Sequence, residues 1–567
     1  MNSATSDEET VIAYHERSKH HFHRYATGPG RLDWAAQPDP FRRYDGAELI
    51  PLALPAPDRI LRYEQLYTPA GVATEVLSAD SVSLLFRYAL SLTAWKSFQG
   101  TRWALRANPS SGNLHPTEGY ALLPPLAGVG DAPALYHYAP REHGLERRAR
   151  FHSDRWHELI SVWPAGSFFV ALSSIHWREA WKYGERAFRY CQQDVGHALA
   201  ALCFAAAAQG WRAQLLDGIG ADRLNTVMGL DRSADYTDAE REEAELLLVI
   251  APAPSTLAPF DGAAFATLTK SAQWYGQANR LSPPPHAQWP VIEQIAVASR
   301  NQTGLSIRED VAPVADVSGW LAEPQIVGAR SAEQIILGRR SAVAMDGVSS
   351  ISRPVFLQML ARLLPTREQG APPWQAIPWR PRIHLAMFVH RVDGIGPGLY
   401  ALVRDHGRLA ELQQQMAAHF LWQNVAGALP LYLLQAGDCR ALAAEVSCGQ
   451  DIAGDGAFSF GMLADYMASL HRYGAALYRR LYWEAGMLGQ VLYLEAEAAG
   501  VRATGMGCYF DDPVHQVFGL KTRDWQSFYH FTVGSPVDDT RLTSLPAYAF
   551  TDVNGNRISS PAKHALT

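Results

Sequence analysis

Hydrophobic and polar positions in the first half of the chain follow two different periods. Apolar side chains recur every three or four positions at Leu84, Leu85, Tyr88 and Leu92, which predicts a helix starting near Ser81. Short apolar runs bounded by Pro and Gly are typical of strands. We therefore predict strands at residues 119–123, 134–138, 168–172 and 245–251, and a long helix over residues 185–209 that ends at Gly210.

The second half repeats this order of elements. We predict helices over residues 331–340 and from residue 354, strands at 384–390 and 398–403, a long helix over 475–499 that ends at Gly500, and a last strand at 528–534. Helices and strands are mixed without strict βαβ alternation. The predicted fold class is therefore α+β rather than a doubly wound sheet.

The two halves also match residue by residue. A shift of 290 positions (472 minus 182) places residues 166–230 on residues 456–520 without a gap, so that Lys182-Tyr183-Gly184 meets Arg472-Tyr473-Gly474. A repeat of this length exceeds solenoid units, whose period is roughly 20–50 residues. It indicates two copies of one domain, packed as the subunits of a dimer would be. We expect this internal pseudo-dimer to leave the chain free to be monomeric.

Connecting segments complete the predicted organisation. Residues 1–75 are rich in Pro, His and Arg and show no sustained periodicity, so we expect an extended arm. The other predicted boundaries are a first domain at 76–276, a linker at 277–330, a second domain at 331–550 and a tail at 551–567.

Composition and charge narrow the function classes. The 567 residues are 48% hydrophobic, and the net charge of −6 gives no reason to expect nucleic acid or an anionic membrane as a partner. The five cysteines form no CxxC pair and are odd in number, which argues against a disulfide framework. The opening residues show no signal-peptide pattern, and the apolar run near residues 198–208 is too short to span a bilayer. We expect a soluble, cytoplasmic protein. His20, His21 and His23 lack matching ligand spacing, so we expect no metal site.

A basic segment in the second copy is a candidate phosphate site. Arg339, Arg340 and Ser341 close a predicted helix, and guanidinium groups offer planar paired donors to phosphate. Arg541, beyond the last predicted strand, is a candidate to join them. The alternative is a solvated helix end, where basic side chains also favour the helix dipole. The corresponding place in the first copy has only Arg59 and Arg62, with the wrong spacing.

Two loops are candidates for contact with a flat ligand. In the first copy, Ser110-Ser111-Gly112-Asn113 allows close backbone approach, and the Asn113 amide can pair with the edge of a pyrimidine-like ring. In the second copy, Gly505-Met506-Gly507 can point backbone N–H groups at a ligand. The second copy has Trp379-Arg380-Pro381-Arg382 in place of the first loop, and the first copy has Leu215-Leu216-Asp217 in place of the second. Plain turns remain the alternative.

Taken as a set, these motifs resemble those of a known family. The chain looks like a tandem nitroreductase-fold flavoprotein of the branch typified by the azoline dehydrogenases of peptide natural-product pathways (the SagB/ThcOx type). The resemblance rests on the arm at residues 14–21, on Pro109 to Asn113, and on Gly210 and Gly500 after the long helices. It covers most of the chain except the linker.

The resemblance implies where a cofactor would bind. In that family two subunits build each FMN site between them. Carried over, the second copy supplies Arg339, Arg340, Ser341, the loop from Gly505 to Gly507 and Arg541, and the first supplies Ser110, Ser111 and Asn113. The reciprocal half-sites are missing, which implies one FMN per chain.

The resemblance also implies catalytic residues. Lys182 and Tyr183 match the Lys-Tyr pair that the azoline dehydrogenases use over the flavin, and either can take a proton if its pKa falls from roughly 10. Arg472, at the equivalent place, cannot act as a base. A surface Lys beside a core Tyr is the alternative.

Three functions remain open. We expect an FMN-dependent dehydrogenase that acts on a heterocycle or amide-like segment in a small-molecule or peptide substrate. Other proteins of a biosynthetic pathway are candidate partners. The alternatives are an NAD(P)H-dependent nitro or quinone reductase, and a non-catalytic flavin-binding or scaffold partner in a biosynthetic complex.

Overall fold

The protein folds into two α+β domains related by the sequence repeat. The structure is a computed structural model that describes residues 6–54, 61–68, 71–253, 262–284, 286–307, 309, 317, 319, 330–365 and 371–550. Arg59, part of the predicted linker (residues 285, 308, 310–316, 318 and 320–329) and the predicted tail at 551–567 lie outside these residues. No helix in the described ranges combines the length and apolar character needed to cross a membrane.

The α-helices of the described residues are numbered in chain order. They are α1 Asp7–Arg17, α2 Ala79–Ala89, α3 Ser153–Ile160, α4 His176–Tyr183, α5 Ala187–Ala207, α6 Ala221–Met228, α7 Ala263–Leu268, α8 Pro290–Ala298, α9 Ala332–Gly338, α10 Arg353–Arg362, α11 Leu409–Gln415, α12 Arg440–Val446, α13 Ile452–Asp455, α14 Met467–Tyr473, α15 Leu477–Ala498 and α16 Asp511–Val517.

The strands are numbered in the same way. They are β1 Tyr44–Asp45, β2 Leu49–Pro51, β3 Leu92–Phe98, β4 Thr101–Arg106, β5 Thr117–Leu123, β6 Ala134–Ala139, β7 Gly144–Arg150, β8 Phe168–Ser174, β9 Trp211–Leu215, β10 Glu243–Pro252, β11 Gln273–Trp274, β12 Gln277–Ala278, β13 Ile351–Ser352, β14 Ile383–Val389, β15 Val392–Asp393, β16 Gly398–Leu402, β17 Gln423–Asn424, β18 Leu431–Ala436, β19 Phe458–Asp465, β20 Arg502–Met506, β21 Trp525–Gly534 and β22 Thr543–Pro546.

Six strands of each sheet follow the same order, and the two sheets differ at the edge beside β7 and β18. The first sheet has the order β11-β7-β6-β5-β8-β10-β9, with β2 added beside β7, and the second has the order β17-β18-β16-β14-β19-β21-β20. The central strands β8 and β19 begin 290 residues apart, as do the long helices α5 and α15. The elements predicted from the hydrophobic pattern are confirmed to within a few residues, and so is the α+β class.

The long helices cross where equivalent glycines meet. A Cβ built on Gly196 in α5 would lie 2.2 Å from the Trp483 carbonyl oxygen, and one on Gly486 in α15 would lie 2.2 Å from that of Gln193. Gly486 and Trp483 lie 290 positions after Gly196 and Gln193, so each contact is the counterpart of the other. Such self-complementary contacts define an internal two-fold axis, as in a symmetric dimer.

The N-terminal arm differs from the extended segment that we predicted. Its helix α1 starts with a capping box, in which Ser6 Oγ accepts the Glu9 N–H and the Glu9 carboxylate accepts the Ser6 N–H. Tyr14 donates to the Glu185 carbonyl in the first domain at 2.8 Å, and His15 Nδ1 lies 3.1 Å from the Tyr478 hydroxyl in the second. The arm therefore lies across the domain interface.

A hairpin absent from the predictions joins the domains at another point. Strands β3 and β4 form it, and β22, from the end of the second domain, pairs with β3 in the register Thr543 to Ser97. Lys96 Nζ donates to Ser544 Oγ at 2.7 Å, and the Trp95 indole N–H donates to the Ala547 carbonyl at 2.8 Å. Strand β22 and Ala547 thus hold the hairpin against the second domain.

Candidate functional site

The segment from Arg339 to Ser341 lies where the two domains meet. It follows α9 and runs beside β20, where the Ala342 N–H donates to the Ala503 carbonyl at 3.0 Å. The buried Arg339 guanidinium donates to the carbonyls of Arg106 and Ala107, at 2.9 and 3.2 Å, in the first domain. These bonds attach the second domain's basic segment to Arg106 and Ala107, the residues that immediately precede the first domain's 108–113 loop in the chain.

The carboxylate nearest in effect to this corner is already paired: Glu497, whose charge acts on Arg339 and Arg340, forms an ion pair with Arg330 at 2.8 Å. Neither Arg339 nor Arg340 forms an ion pair with any described residue, and Arg340 donates only to nearby oxygens, at Leu337, Arg339 and Thr93. Burial, together with the neighbouring Arg339 charge, lowers the pKa of Arg340 to about 10. Burial and the Arg340 charge also lower the pKa of Lys96. Burial and like charge disfavour the charged forms of these basic side chains, and a bound anion such as phosphate would offset this.

Two predicted phosphate ligands differ in their placement. Ser341 Oγ lies 2.9 Å from the Tyr493 hydroxyl, inside the corner. Arg541 lies outside it, because its exposed side chain pairs with Asp539 at 2.7 Å and its guanidinium lies over the Phe98 ring. The structure therefore brings Ser341, but not Arg541, to the basic segment.

The predicted Gly505–Gly507 loop begins as the end of strand β20, which runs to Met506, and it is tightly enclosed by aromatic side chains. A Cβ on Gly505 would lie 1.9 Å from the Tyr529 hydroxyl, and one on Gly507 would lie 2.0 Å from the Tyr190 ring. The Gly505 N–H donates to the Tyr493 hydroxyl at 3.0 Å. Met506, between the glycines, is buried in the core of the second domain. Both glycines are therefore required by the close approach of these rings.

The first domain's loop is held by internal bonds. Ser110 Oγ accepts the His115 N–H at 2.8 Å, and the Ser111 N–H donates to Asp194 Oδ1 at 3.1 Å. Asn113 Nδ2 donates to the Ala104 carbonyl at 2.9 Å, and its Oδ1 lies 3.0 Å from His115 Nε2. We predicted that the Asn113 amide would face a ring edge. In the structure the amide instead fixes the shape of the loop.

Lys182 and Tyr183 meet this loop at Gly112. A Cβ on Gly112 would lie 2.5 Å from the Tyr183 hydroxyl and 3.1 Å from Lys182 Nζ. The Tyr183 ring lies 4.5 Å, centroid to centroid, from the Tyr190 ring, and the Tyr190 hydroxyl donates to the Gly507 carbonyl at 3.1 Å. Burial strongly raises the pKa of Tyr183. The predicted Lys-Tyr pair and both predicted loops are therefore brought to one place.

Two buried carboxyl groups beside this pair were not predicted. Glu179 lies three positions before Lys182 on α4, and neither of its oxygens has a hydrogen-bond partner within the described ranges. Burial and the nearby Asp194 raise its pKa well above the usual range. Burial raises the pKa of Asp194 to about 7 despite its bonds from Ser110 and Ser111. The spacing of Glu179 and Lys182 on one helix was the available signal.

Further polar atoms at this interface lack partners. In the described part of the chain, Gln193 Oε1, Asn108 Oδ1 and His197 Nδ1 are buried without a hydrogen bond. Two of these side chains are fixed by their other polar atom. Gln193 Nε2 donates to the Phe528 carbonyl, and His197 Nε2 lies 3.2 Å from the Tyr529 hydroxyl. Buried polar groups are normally paired, so this set fits a polar ligand between the domains.

The symmetry-related place is filled by side chains. Arg480 and Trp483 stand 290 positions after Tyr190 and Gln193. They line a cavity of about 40 Å³, far below the roughly 300–1,000 Å³ of ligand pockets. The Arg480 guanidinium lies over the ring of Trp379, from the segment that replaces the Ser-Ser loop. Large side chains have therefore closed this second place.

Ion pairs consolidate the closed place. Glu484, the counterpart of Asp194, accepts the Arg382 N–H at 3.1 Å and pairs with Arg404. The Tyr473 hydroxyl donates to Glu309, which also pairs with Arg382. The counterpart of Tyr183 is thereby engaged in a salt-bridge network. Arg62, a candidate in the first copy, is exposed.

Comparisons with known proteins agree with the repeat. The model of the nitroreductase family matches residues 94–239 and 399–535, once in each domain. A suspected nitroreductase of Anabaena variabilis of known structure is 22% identical, with 93% of this chain and 99% of that chain covered at a TM-score of 0.65. At this identity the likeness establishes the fold. No curated protein matches the chain.

Two further solved structures overlap one part of the chain. The E. coli microcin synthetase McbBCD complex with truncated pro-MccB17 bound is 19% identical over 32% of this chain and 66% of that chain, at a TM-score of 0.25. A suspected nitroreductase of Ralstonia eutropha is 17% identical over 38% of this chain and 100% of that chain, at a TM-score of 0.27.

Proposed function

We propose that this chain, which belongs to the nitroreductase family through both of its domains, is an FMN-dependent oxidoreductase. Its reaction is the dehydrogenation of a heterocycle or amide-like segment in a peptide-derived or other small metabolite. The observation that carries the proposal is the asymmetry of the two interface places. One combines uncompensated guanidinium groups, a glycine loop and the Lys182-Tyr183 pair, and the other is closed.

The residues of the first place, around Arg340 and Lys182, fit FMN. Arg340 and Ser341 would hold the phosphate, with Arg339 fixing their position through the first domain's backbone. The Gly505–Gly507 loop and the unpaired atoms of Gln193 and Asn108 would meet the polar edge of the ring system. When bound, FMN supplies two-electron chemistry by accepting a hydride.

Proton removal falls to the Lys182-Tyr183 pair. Loss of a hydride from carbon leaves a proton to be taken from the neighbouring atom, and the Lys182 amine, which lies against the Gly112 loop, is the candidate base. Tyr183, with its raised pKa, stays protonated and can donate a hydrogen bond to the substrate. Glu179 and Asp194 lie below the pair as further proton carriers.

Reduction of the purified protein tests the proposal against its alternatives. We expect a yellow protein whose flavin absorbance persists when NADH or NADPH is added without oxygen. Rapid bleaching by either nucleotide would instead indicate a nitro or quinone reductase. A colourless protein that does not take up added FMN would indicate a scaffold role.

A further inference from the structure

Two cysteine thiols meet beside the glycine loop. Cys508 follows Gly507 directly, and Cys448 lies in the loop after α12. Their Sγ atoms are 2.7 Å apart, and both residues are half-buried, whereas Cys191, Cys203 and Cys439 are buried. A covalent S–S bond is about 2 Å long, so only a small movement separates the two thiols from a disulfide.

The backbone holds these two loops together independently of the thiols. The Phe510 N–H donates to the Val446 carbonyl at 2.8 Å, and Gln450 Nε2 donates to the Cys508 carbonyl at 2.8 Å. Cys448 has a φ of 58°, in the left-handed region that non-glycine residues seldom occupy. Unfavourable backbone of this kind persists where surrounding structure enforces it, and it often marks functional positions.

The two thiols have different surroundings. The contact with Cys448, and His20 and the Arg186 charge nearby, lower the pKa of Cys508, whereas the contact with Cys508 and burial raise the pKa of Cys448. His20 Nδ1 accepts the Ala26 N–H at 2.9 Å, so the ring proton of a neutral His20 lies on Nε2. A thiolate stabilised by donors is the nucleophile in thiol–disulfide exchange.

We propose that Cys448 and Cys508 are a redox-active pair that reacts reversibly with small-molecule disulfides of the glutathione class. The Cys508 thiolate attacks one sulfur of the oxidised compound, its S–S bond breaks, and one thiolate leaves. The Cys448 thiol then loses its proton and attacks the Cys508 sulfur, expelling the second thiolate. The protein loses two electrons, and the small disulfide gains them and forms two thiols.

The location of the pair ties it to the candidate site. The carbonyl of Gly507, next to Cys508, accepts from the Tyr190 hydroxyl and from the Arg186 guanidinium at 3.1 Å. A disulfide would join this turn to the loop after α12. Disulfide formation itself does not depend on the proposed function, because neither thiol needs the flavin to react.

Thiol counting on the full-length protein tests the proposal. The protein is equilibrated in buffers of graded reduced to oxidised glutathione, quenched in acid, alkylated and weighed intact. We expect alkylated thiols to fall from five to three (five minus the pair) in a single two-electron step. Peptide mapping should find Cys448 linked to Cys508. Five alkylated thiols in every buffer would overturn the proposal.

Single substitutions assign the two roles. Cys448→Ser should trap a stable glutathione adduct on Cys508, because the resolving thiol is gone. Cys508→Ser should leave Cys448 largely unmodified, and Cys439→Ser, at a buried site in the same domain, should retain the two-electron step. A step that persists in both Cys448→Ser and Cys508→Ser, or a wild-type disulfide that maps elsewhere, would contradict it.

Discussion

At the residue scale, the chemistry depends on two side chains that touch the same loop. Lys182 and Tyr183 end α4 with their polar groups against Gly112, and buried carboxyl groups lie beneath them. Arg472 at the equivalent position in the closed copy is exposed. The proposed function assigns binding and proton transfer to different residues of one site, so substitution can test the two roles separately.

Substitutions at Lys182 should abolish turnover without releasing flavin. In the proposed function Lys182 acts on the substrate proton and does not hold the flavin, so Lys182→Ala should purify yellow and lose kcat by about 10²- to 10⁴-fold, the range for general base catalysis. Lys182→Arg should be nearly as slow, since a guanidinium does not give up its proton. Steady-state turnover and the flavin spectrum of each variant measure this. Near-normal turnover of the Arg variant would reduce Lys182 to an electrostatic role.

Asp194 should make folding stability depend on pH. Its pKa is raised to about 7 in the folded chain, against about 3.9 when unfolded. Between these values only the unfolded chain releases the proton, so the free energy of unfolding falls as pH rises and levels off above 7. Asp194→Asn does not ionise. Relative to it, the wild-type protein should lose about 3 kcal/mol between pH 5 and pH 8 in urea unfolding. A difference that is the same at both pH values would contradict this.

At the element scale, the repeat fixes the geometry through α5 and α15. These helices cross at Gly196 and Gly486, where their backbones touch. The crossing sets the distance between the first domain's Ser110–Asn113 loop and the second domain's glycine loop, because each loop is held by a side chain of α5, Asp194 for one and Tyr190 for the other.

A methyl group at the crossing should destabilise the whole molecule. Glycine to alanine in an unhindered helix is stabilising, by about 0.4–1 kcal/mol. Here a Cβ on Gly196 or Gly486 would lie 2.2 Å from a carbonyl oxygen, so the sign should reverse, with a loss of about 1–3 kcal/mol. Gly396→Ala, where nothing lies within 4 Å of the new Cβ, is the matched control and should be nearly neutral. Thermal unfolding compares the three variants, and a stabilised Gly196→Ala would exclude the close crossing.

Elements with strong periodicity could be predicted from the sequence, whereas contacts made only on folding could not. The long helices and central strands carry clear apolar patterns, and the 290-residue shift correctly matched equivalent strands and helices of the two domains. Helix α1 was not predicted, although Ser6 and Glu9 have the spacing of a capping box. The pairing of β22 with β3, the unpaired Glu179 and the internal bonds of Asn113 depend on tertiary packing that no local pattern reports.

At the scale of the whole molecule, the two domains of one chain pack like the subunits of a dimer, but their two interface places differ. In a symmetric dimer both interface places would carry the same residues. Here the two copies differ in sequence, and the place lined by Arg480 and Trp483 has a cavity of only about 40 Å³. The other place has the basic corner, both glycine-containing segments and the Lys-Tyr pair. The arm lies across both domains and supplies His20 to Cys508.

This asymmetry predicts one FMN per chain. Flavin released from protein of known concentration should approach a molar ratio of one, and a ratio near two would contradict the closed place. Arg340→Ala should weaken FMN binding about ten- to a hundredfold, because it removes a charge-assisted contact of about 1.5–3 kcal/mol. Arg472→Ala, an exposed arginine of the closed copy, should leave affinity unchanged. Titration of apoprotein with FMN distinguishes them, and equal losses in both variants would mean that the flavin does not lie at the Arg340 corner.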